Sequence, residues 1–163
     1  MSLSGAARMD RAWIEAHIPH QGSMCLLDEV LSWDSRHLRC RSTTHQSAAH
    51  PLKAHARLGI ACGIEYVVQA MAVHGAIAAD ARAGKQPAKV EVGFLAGLRD
   101  VRMHAERLDD IAADLICDVQ RIAGDASTAL YSFHLSAEQR CLLEGRATVV
   151  LDASGRLTRD LTP

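Results

Sequence analysis

Residues 58–82, LGIACGIEYVVQAMAVHGAIAADAR, constrain this chain more than any other stretch. Before Asp80 they carry few polar side chains beyond Glu65, Tyr66, Gln69 and His74. The pattern predicts one long helix ending near Gly84, with Lys85, Gln86 and Pro87 as the stop signal. A helix that is apolar on nearly every side gains nothing by meeting water, so it is buried. A carboxyl inside it is costly to desolvate unless it is paired, kept neutral or put to use. Glu65 is therefore the residue to explain first.

The flanking sequence supplies what could wrap such a helix. Asp10 can cap a short helix through His17, with Trp13 and Ile14 facing inward, and Pro19 breaks it. Residues 24–33 predict a strand, its run 24–27 continuously apolar as if covered on both faces. RHLRCRSTTH then alternates like an antiparallel partner. Residues 46–57 have no apolar period, and Pro51 forces an extended backbone at His50, so they form a loop. After the helix come four strand-like segments: KVEVGFLAGLRDVRMHAE, with Gly93 and Gly97 allowing a bend, then ADLICDVQRIAG, STALYSFHLSAE and CLLEGRATVVLD. The order predicts an α+β domain over 1–163, an antiparallel sheet curled around one central helix. Residues 1–10 form a lead-in and 154–163 a frayed tail. A half-wrapped layer leaves edges and an open side, which a dimer would complete.

A chain of 163 residues can bury a sizeable core. Its net charge of −1 provides no general field for nucleic acid or anionic membrane. Arginines recur locally at 36, 39 and 41 and at 99 and 102, either as solvated strand faces or as a patch for an acidic partner. Five scattered cysteines with no C-x-x-C pair argue against a disulfide framework or a zinc site, and they suit a reducing compartment. The N-terminus lacks an apolar signal region, and Glu65, Gln69 and His74 argue against a membrane span at 58–79. The expectation is a cytoplasmic protein without membrane insertion.

Three stretches carry a family resemblance. The first is Ile18-Pro19-His20-Gln21-Gly22-Ser23-Met24-Cys25-Leu26-Leu27-Asp28-Glu29-Val30. The second is His50-Pro51 followed by Gly63-Ile64-Glu65-Tyr66-Val67-Val68-Gln69-Ala70, and the third is Phe94-Leu95-Ala96-Gly97-Leu98-Arg99. Together they resemble the hot-dog superfamily, and within it the β-hydroxyacyl-(acyl carrier protein) dehydratases, closest to the branch encoded with aryl-polyene pigment clusters. The resemblance spans roughly 14–151. Two departures stand out: the family's His-Phe-Pro-Gly is here His50-Pro51-Leu52-Lys53, and its Pro-Gly at the helix start is absent.

The resemblance implies loss of water from a 3-hydroxyacyl thioester to give the trans-2-enoyl thioester, in fatty-acid, polyketide or aryl-polyene synthesis. No metal or cofactor is implied, because the substrate rides on the phosphopantetheine of an acyl carrier protein. His50 would be the base and Glu65, its pKa raised by the apolar helix, the acid; the exchanged order is also open. Gln69, one turn on, would hold the Glu65 rotamer. Gly59, with backbone N–H groups as far as Ala61, would meet the thioester oxygen. His20 and Phe94 would flank the pocket, and Met71, Phe94 and Leu98 would set its depth. In the family, His and Glu come from opposite subunits of a homodimer or of a heterodimer with a related hot-dog subunit. His45 and His55 compete with His50 for the base. A lone Glu65 could also be merely structural, His74 lies on the far face of the helix as a core or interface histidine, and Cys62 has no basic neighbour to activate it. The alternatives are a hot-dog thioesterase and a non-catalytic scaffold subunit.

Overall fold

The computed structural model of the protein describes residues 8–84 and 92–152. Helix α1 runs Arg11–His17, and its N-cap is the Asp10 side chain, which accepts from Trp13 N–H at 3.1 Å. It ends two residues before Pro19, as the ring requires, and Ile14 is fully buried beneath it. Strands β1 (Glu29–Trp33) and β2 (His37–Ser42) form a hairpin. The long helix α2 spans Gly63–Ala83, entered through a short 3₁₀ turn at Ile60–Cys62 and closed by Gly84 at φ 61°. Strands β3 (Val92–Met103), β4 (Leu115–Gly124), β5 (Thr128–Ala137) and β6 (Arg140–Asp152) follow. All six make one antiparallel sheet in the order β1-β2-β4-β5-β6-β3, so β1 and β3 are its edges.

Helix α2 is long and apolar enough to cross a membrane, yet it is the core of the domain. Tyr66, Val67, Ala70, Val73 and Ile77 are buried against the sheet residues Leu115, Cys117, Leu135 and Leu143. Gly63 lets the first turn approach closely, since a Cβ there would lie 2.8 Å from Leu135 Cδ2 and 2.9 Å from Leu143 Cδ2. The expected wrapped helix is present. Of the two glycines expected to bend β3, Gly97 lies at a register shift, which falls between Leu95 and Gly97; a second lies between Arg99 and Arg102.

The predicted strand over residues 24–33 needs correction. Gly22–Met24 is a 3₁₀ turn, β1 begins only at Glu29, and residues 25–27 cross the core as a single unladdered strand of chain, the Asp28 N–H being the first to reach β2, at Arg41 C=O. Cys25, Leu26 and Leu27 are fully buried, so their apolar run reflects burial rather than sheet pairing. Side chains take the place of the ladder. Gln69 Oε1 accepts from Leu26 N–H at 2.9 Å, and Gln69 Nε2 donates to Met24 C=O at 2.8 Å. Ser42 and Thr44 hydroxyls donate to Leu26 C=O, and Arg11 donates to Cys25 C=O. Of the expected lead-in, residues 1–7 lie outside the described residues, whereas Arg8 pairs with Glu29 and Met9 C=O accepts from Val30 N–H. The expected tail, 154–163, also lies outside them.

Candidate functional site

Glu65 is in the first turn of α2, where the aligned N–H groups favour a negative charge. Its Oε1 is held twice, by Gln69 Nε2 at 3.0 Å and by His20 Nε2 at 3.1 Å. Gln69 can do this because its own amide is pinned: it is fully buried and its other valences go to Met24 and Leu26. The side chain of Glu65 itself keeps a third of its surface open.

The expectation of a raised Glu65 pKa is overturned. The hydrogen bond from His20 holds the carboxyl below its usual range, and the Gln69 bond and the His20 charge act in the same direction, against burial. The composition of the helix misled here, because the polar partners come from a loop and from one turn away, not from the apolar neighbours in sequence.

His50 sits on the other side of the helix start. It is buried, its Nε2 lies 2.9 Å from Tyr66 Oη, and its Nδ1 accepts from Leu52 N–H at 3.1 Å. The acceptor role of Nδ1 places the ring proton on Nε2, which therefore donates to Tyr66. Tyr66 in turn meets Thr44 Oγ1 at 2.9 Å, and Thr44 donates to Leu26 C=O. Burial, with Lys53 nearby, lowers the His50 pKa. Within one chain His50 is bonded to Tyr66 and not to Glu65.

The other candidates separate cleanly. His45 is fully buried on Ile111 C=O, and His55 is exposed in a turn at φ 52°. His74 is a saturated core histidine between Tyr131 Oη and Asp34 C=O. Gly59 bridges to Arg107, and Ile60 N–H is spent on Glu106 C=O, so that group of the expected oxygen-binding trio is occupied. Arg39 and Arg41 are neutralised by Asp118, Glu29 and Asp114, which makes those two arginines part of an ion-paired strand face.

A cavity of about 600 Å³ runs along α2 from Val68 onward, with His20, the partner of Glu65, in its wall. Its walls include His20, Val68, Met71 and Gly75 on one side and Leu95 and Val149 on the other. From Val68 to Ala79, both in its wall, the helix rises about 16 Å. Met71 lines it as expected, whereas Phe94 alternates with Gly93 and Leu95 along β3 and lies outside its wall. Sequence reasoning missed the His20–Glu65 contact, although the Pro19-His20 loop signalled that a histidine was being presented at a fixed point.

A single core helix in a curled antiparallel sheet, with an acid in its first turn beside an apolar slot, defines the hot-dog class. The chain belongs to the ApeP-like family, described as ApeP dehydratase, whose profile matches residues 12–157. Among solved structures it is similar to the dehydratase heterocomplex ApeI:P from Xenorhabdus doucetiae, with TM-score 0.76 at 21% identity, covering 92% of this chain and 97% of that one. It is also similar to zebra fish thioesterase superfamily member 2, with TM-score 0.58 at 14% identity over 87% and 95% of the two chains. A mutant of the thioesterase PA1618 from Pseudomonas aeruginosa aligns with TM-score 0.51 at 10% identity over 76% and 79%. No curated protein matches the sequence.

Proposed function

We propose that this chain is one subunit of a dehydratase that removes water from a 3-hydroxyacyl thioester carried on an acyl carrier protein, leaving the trans-2-enoyl thioester, with Glu65 as its acid–base residue, Gln69 holding Glu65 and His50 as the alternative base. The observation that carries this reading is the Glu65 carboxylate, fixed through Oε1 by Gln69 and by His20, the latter a wall residue of a long, largely apolar cavity. An acyl chain fits the slot, and the thioester end would then meet the acid. Because Glu65 rests ionised, it takes the Cα proton; once protonated, it gives that proton to the β-hydroxyl. The C–O bond breaks, water leaves, the Cα electron pair becomes the double bond, and the carboxylate is restored.

His50 is the second group of this site. It could take the Cα proton instead if substrate displaced Leu52 N–H from its Nδ1, at a net cost of about 1 kcal/mol. That is small beside the barrier reductions of about 8 kcal/mol or more that enzymes achieve. Family membership and the exposed Leu95, Leu98 and Met103 along edge strand β3 favour a neighbouring hot-dog subunit, of the same or a related sequence, that would complete the site. Arg102, largely exposed on the same strand, suits the acidic surface of a carrier protein. Gly59 and Phe94 stay as substrate contacts to be tested in that assembly. No cofactor is needed for this chemistry.

The test incubates the chain, alone and with a related hot-dog subunit, with a 3-hydroxyacyl carrier protein and follows products by mass. Loss of water is expected for the wild type, with at least about a hundredfold loss for Glu65→Gln. Turnover retained in Glu65→Gln would sink the mechanism. Turnover retained in His50→Ala would leave both proton transfers with Glu65. Free acid as the product would assign a thioesterase.

A further inference from the structure

Glu65 has a second partner to which the acid–base reading gives no task. His20 stands in the loop after α1, fixed on one side by Pro19 and on the other by Gln21, whose Nε2 donates to Ile18 C=O at 3.2 Å. A carboxylate oxygen only accepts, so the proton between His20 and Glu65 lies on Nε2. His20 Nδ1 is enclosed and has no hydrogen-bond partner among the described residues. The ring therefore has one polar contact, which it directs onto Glu65, while its body forms part of the cavity wall.

We propose that His20 is the positioning residue of the Glu65 carboxylate: with Gln69 it clamps Oε1, and so presents Oε2 as the oxygen that exchanges a proton with a bound acyl thioester. The proposal rests on the Glu65 reading given above. Three observations converge on it. Both donors reach the same oxygen, and no hydrogen bond reaches Oε2 among the described residues. The two tethers come from independent elements, Gln69 from the helix and His20 from the loop, so together they fix the plane of the carboxylate rather than only its distance. Charge-assisted bonds of this kind are stronger than neutral ones and cost little to hold in a site already ordered by packing.

Few other charges can substitute for His20. On α1, Arg11 is spent on the Gly22 and Cys25 carbonyls and on Asp28. Farther along the cavity, His17 pairs with Asp80, and Arg121 and Asp125 lie in the wall beyond it. Among the described residues, His20 is the one charged or chargeable side chain in contact with Glu65.

The test follows the Glu65 side-chain carboxyl by NMR in the intact chain carrying ¹³C-labelled glutamate. In His20→Phe the titration midpoint is expected to rise by about one pH unit, a tenfold change in proton affinity. His20→Gln, whose amide can still donate to Oε1, should show a smaller rise, and it carries the measurement should His20→Phe fail to fold. In the reconstituted dehydratase, the acid limb of the kcat/KM profile should move the same way, with kcat falling more than KM changes. An unmoved Glu65 midpoint overturns the clamp whatever the assay gives, including the case in which only thermal stability falls. A moved midpoint with no dehydration by the wild-type complex keeps the clamp and removes the dehydratase reading, so the two failures are distinguishable.

Discussion

Two imidazoles meet the start of helix α2 at consecutive positions, and the protein treats them in opposite ways. His50 meets Tyr66 in a closed chain: Leu52 N–H to Nδ1, Nε2–H to Tyr66, then Thr44 and the Leu26 carbonyl. Each member has a partner, and the ring is buried. His20 meets Glu65 in an open arrangement, with one carboxylate oxygen doubly held, the other unbonded among the described residues, and a cavity alongside. A saturated buried network stabilises and specifies the fold. A network with an unused oxygen at a cavity has capacity left for a ligand. Two adjacent residues of one helix thus carry a polar group used to hold the chain and one left free to react.

Gln69 joins the two regions, so replacing it should have the largest effect on stability. Gln69→Leu keeps the volume and removes three hydrogen bonds at once, leaving Leu26 N–H and Met24 C=O buried without partners. The loss should be about 3 kcal/mol, read from urea unfolding as a lower midpoint at constant slope. Turnover should fall as well, because Glu65 loses a tether. A variant that is stable but inactive would make Gln69 a part of the open cluster alone and break the comparison.

The closed cluster gives the next effect. Tyr66→Phe strands the His50 Nε2–H and should cost about 1–2 kcal/mol. For a chain of this length that is a fall of about 3–6 °C in Tm. Combining it with His50→Phe should recover part of the loss, since a double-mutant cycle in one network shows coupling of about 0.5 kcal/mol or more. Additivity would mean that the His50–Tyr66 bond contributes nothing to folding, and would leave the alternative base role as the only task of His50.

Much of this was legible in the sequence, and the gaps have physical causes. The wrapped helix followed from the unbroken apolar character of residues 58–82, and α1 followed from Asp10 and Pro19, because caps and breakers act locally. The segment at 25–27 was misread as strand because burial on both faces and membership of a central strand leave the same apolar run. Only the partners of its backbone distinguish them, and those are Gln69, Ser42 and Thr44, far along the chain. Glu65 and Gln69 were visible as a pair through helical spacing. The ionisation of Glu65 was not, because it depends on His20, 45 residues earlier, and helical periodicity says nothing about loop contacts. The Tyr66–His50 bond was hidden for the same reason.

The smallest effect separates the two clusters by pH. Burial lowers the His50 pKa below the ordinary histidine value of about 6.5, so the unfolded chain binds that proton more readily. Stability should therefore rise with pH through the window just below that value and be level above it. His45 and His74, also lowered by burial, act in the same window. Glu65 is lowered below the ordinary glutamate value of about 4.3, so its contribution is fully present above that value and is lost as pH falls through the folded pKa. The stability difference between wild type and Glu65→Gln should thus stay constant from about pH 8 to pH 5 and shrink only below that. The corresponding difference for His50→Phe should already be changing between about pH 6.5 and pH 5. Urea titrations of the three proteins across this range would resolve the two windows. A Glu65→Gln difference that changes in the histidine window would mean that the contribution of Glu65 does not follow its own ionisation, and that the two clusters are not separated by pH.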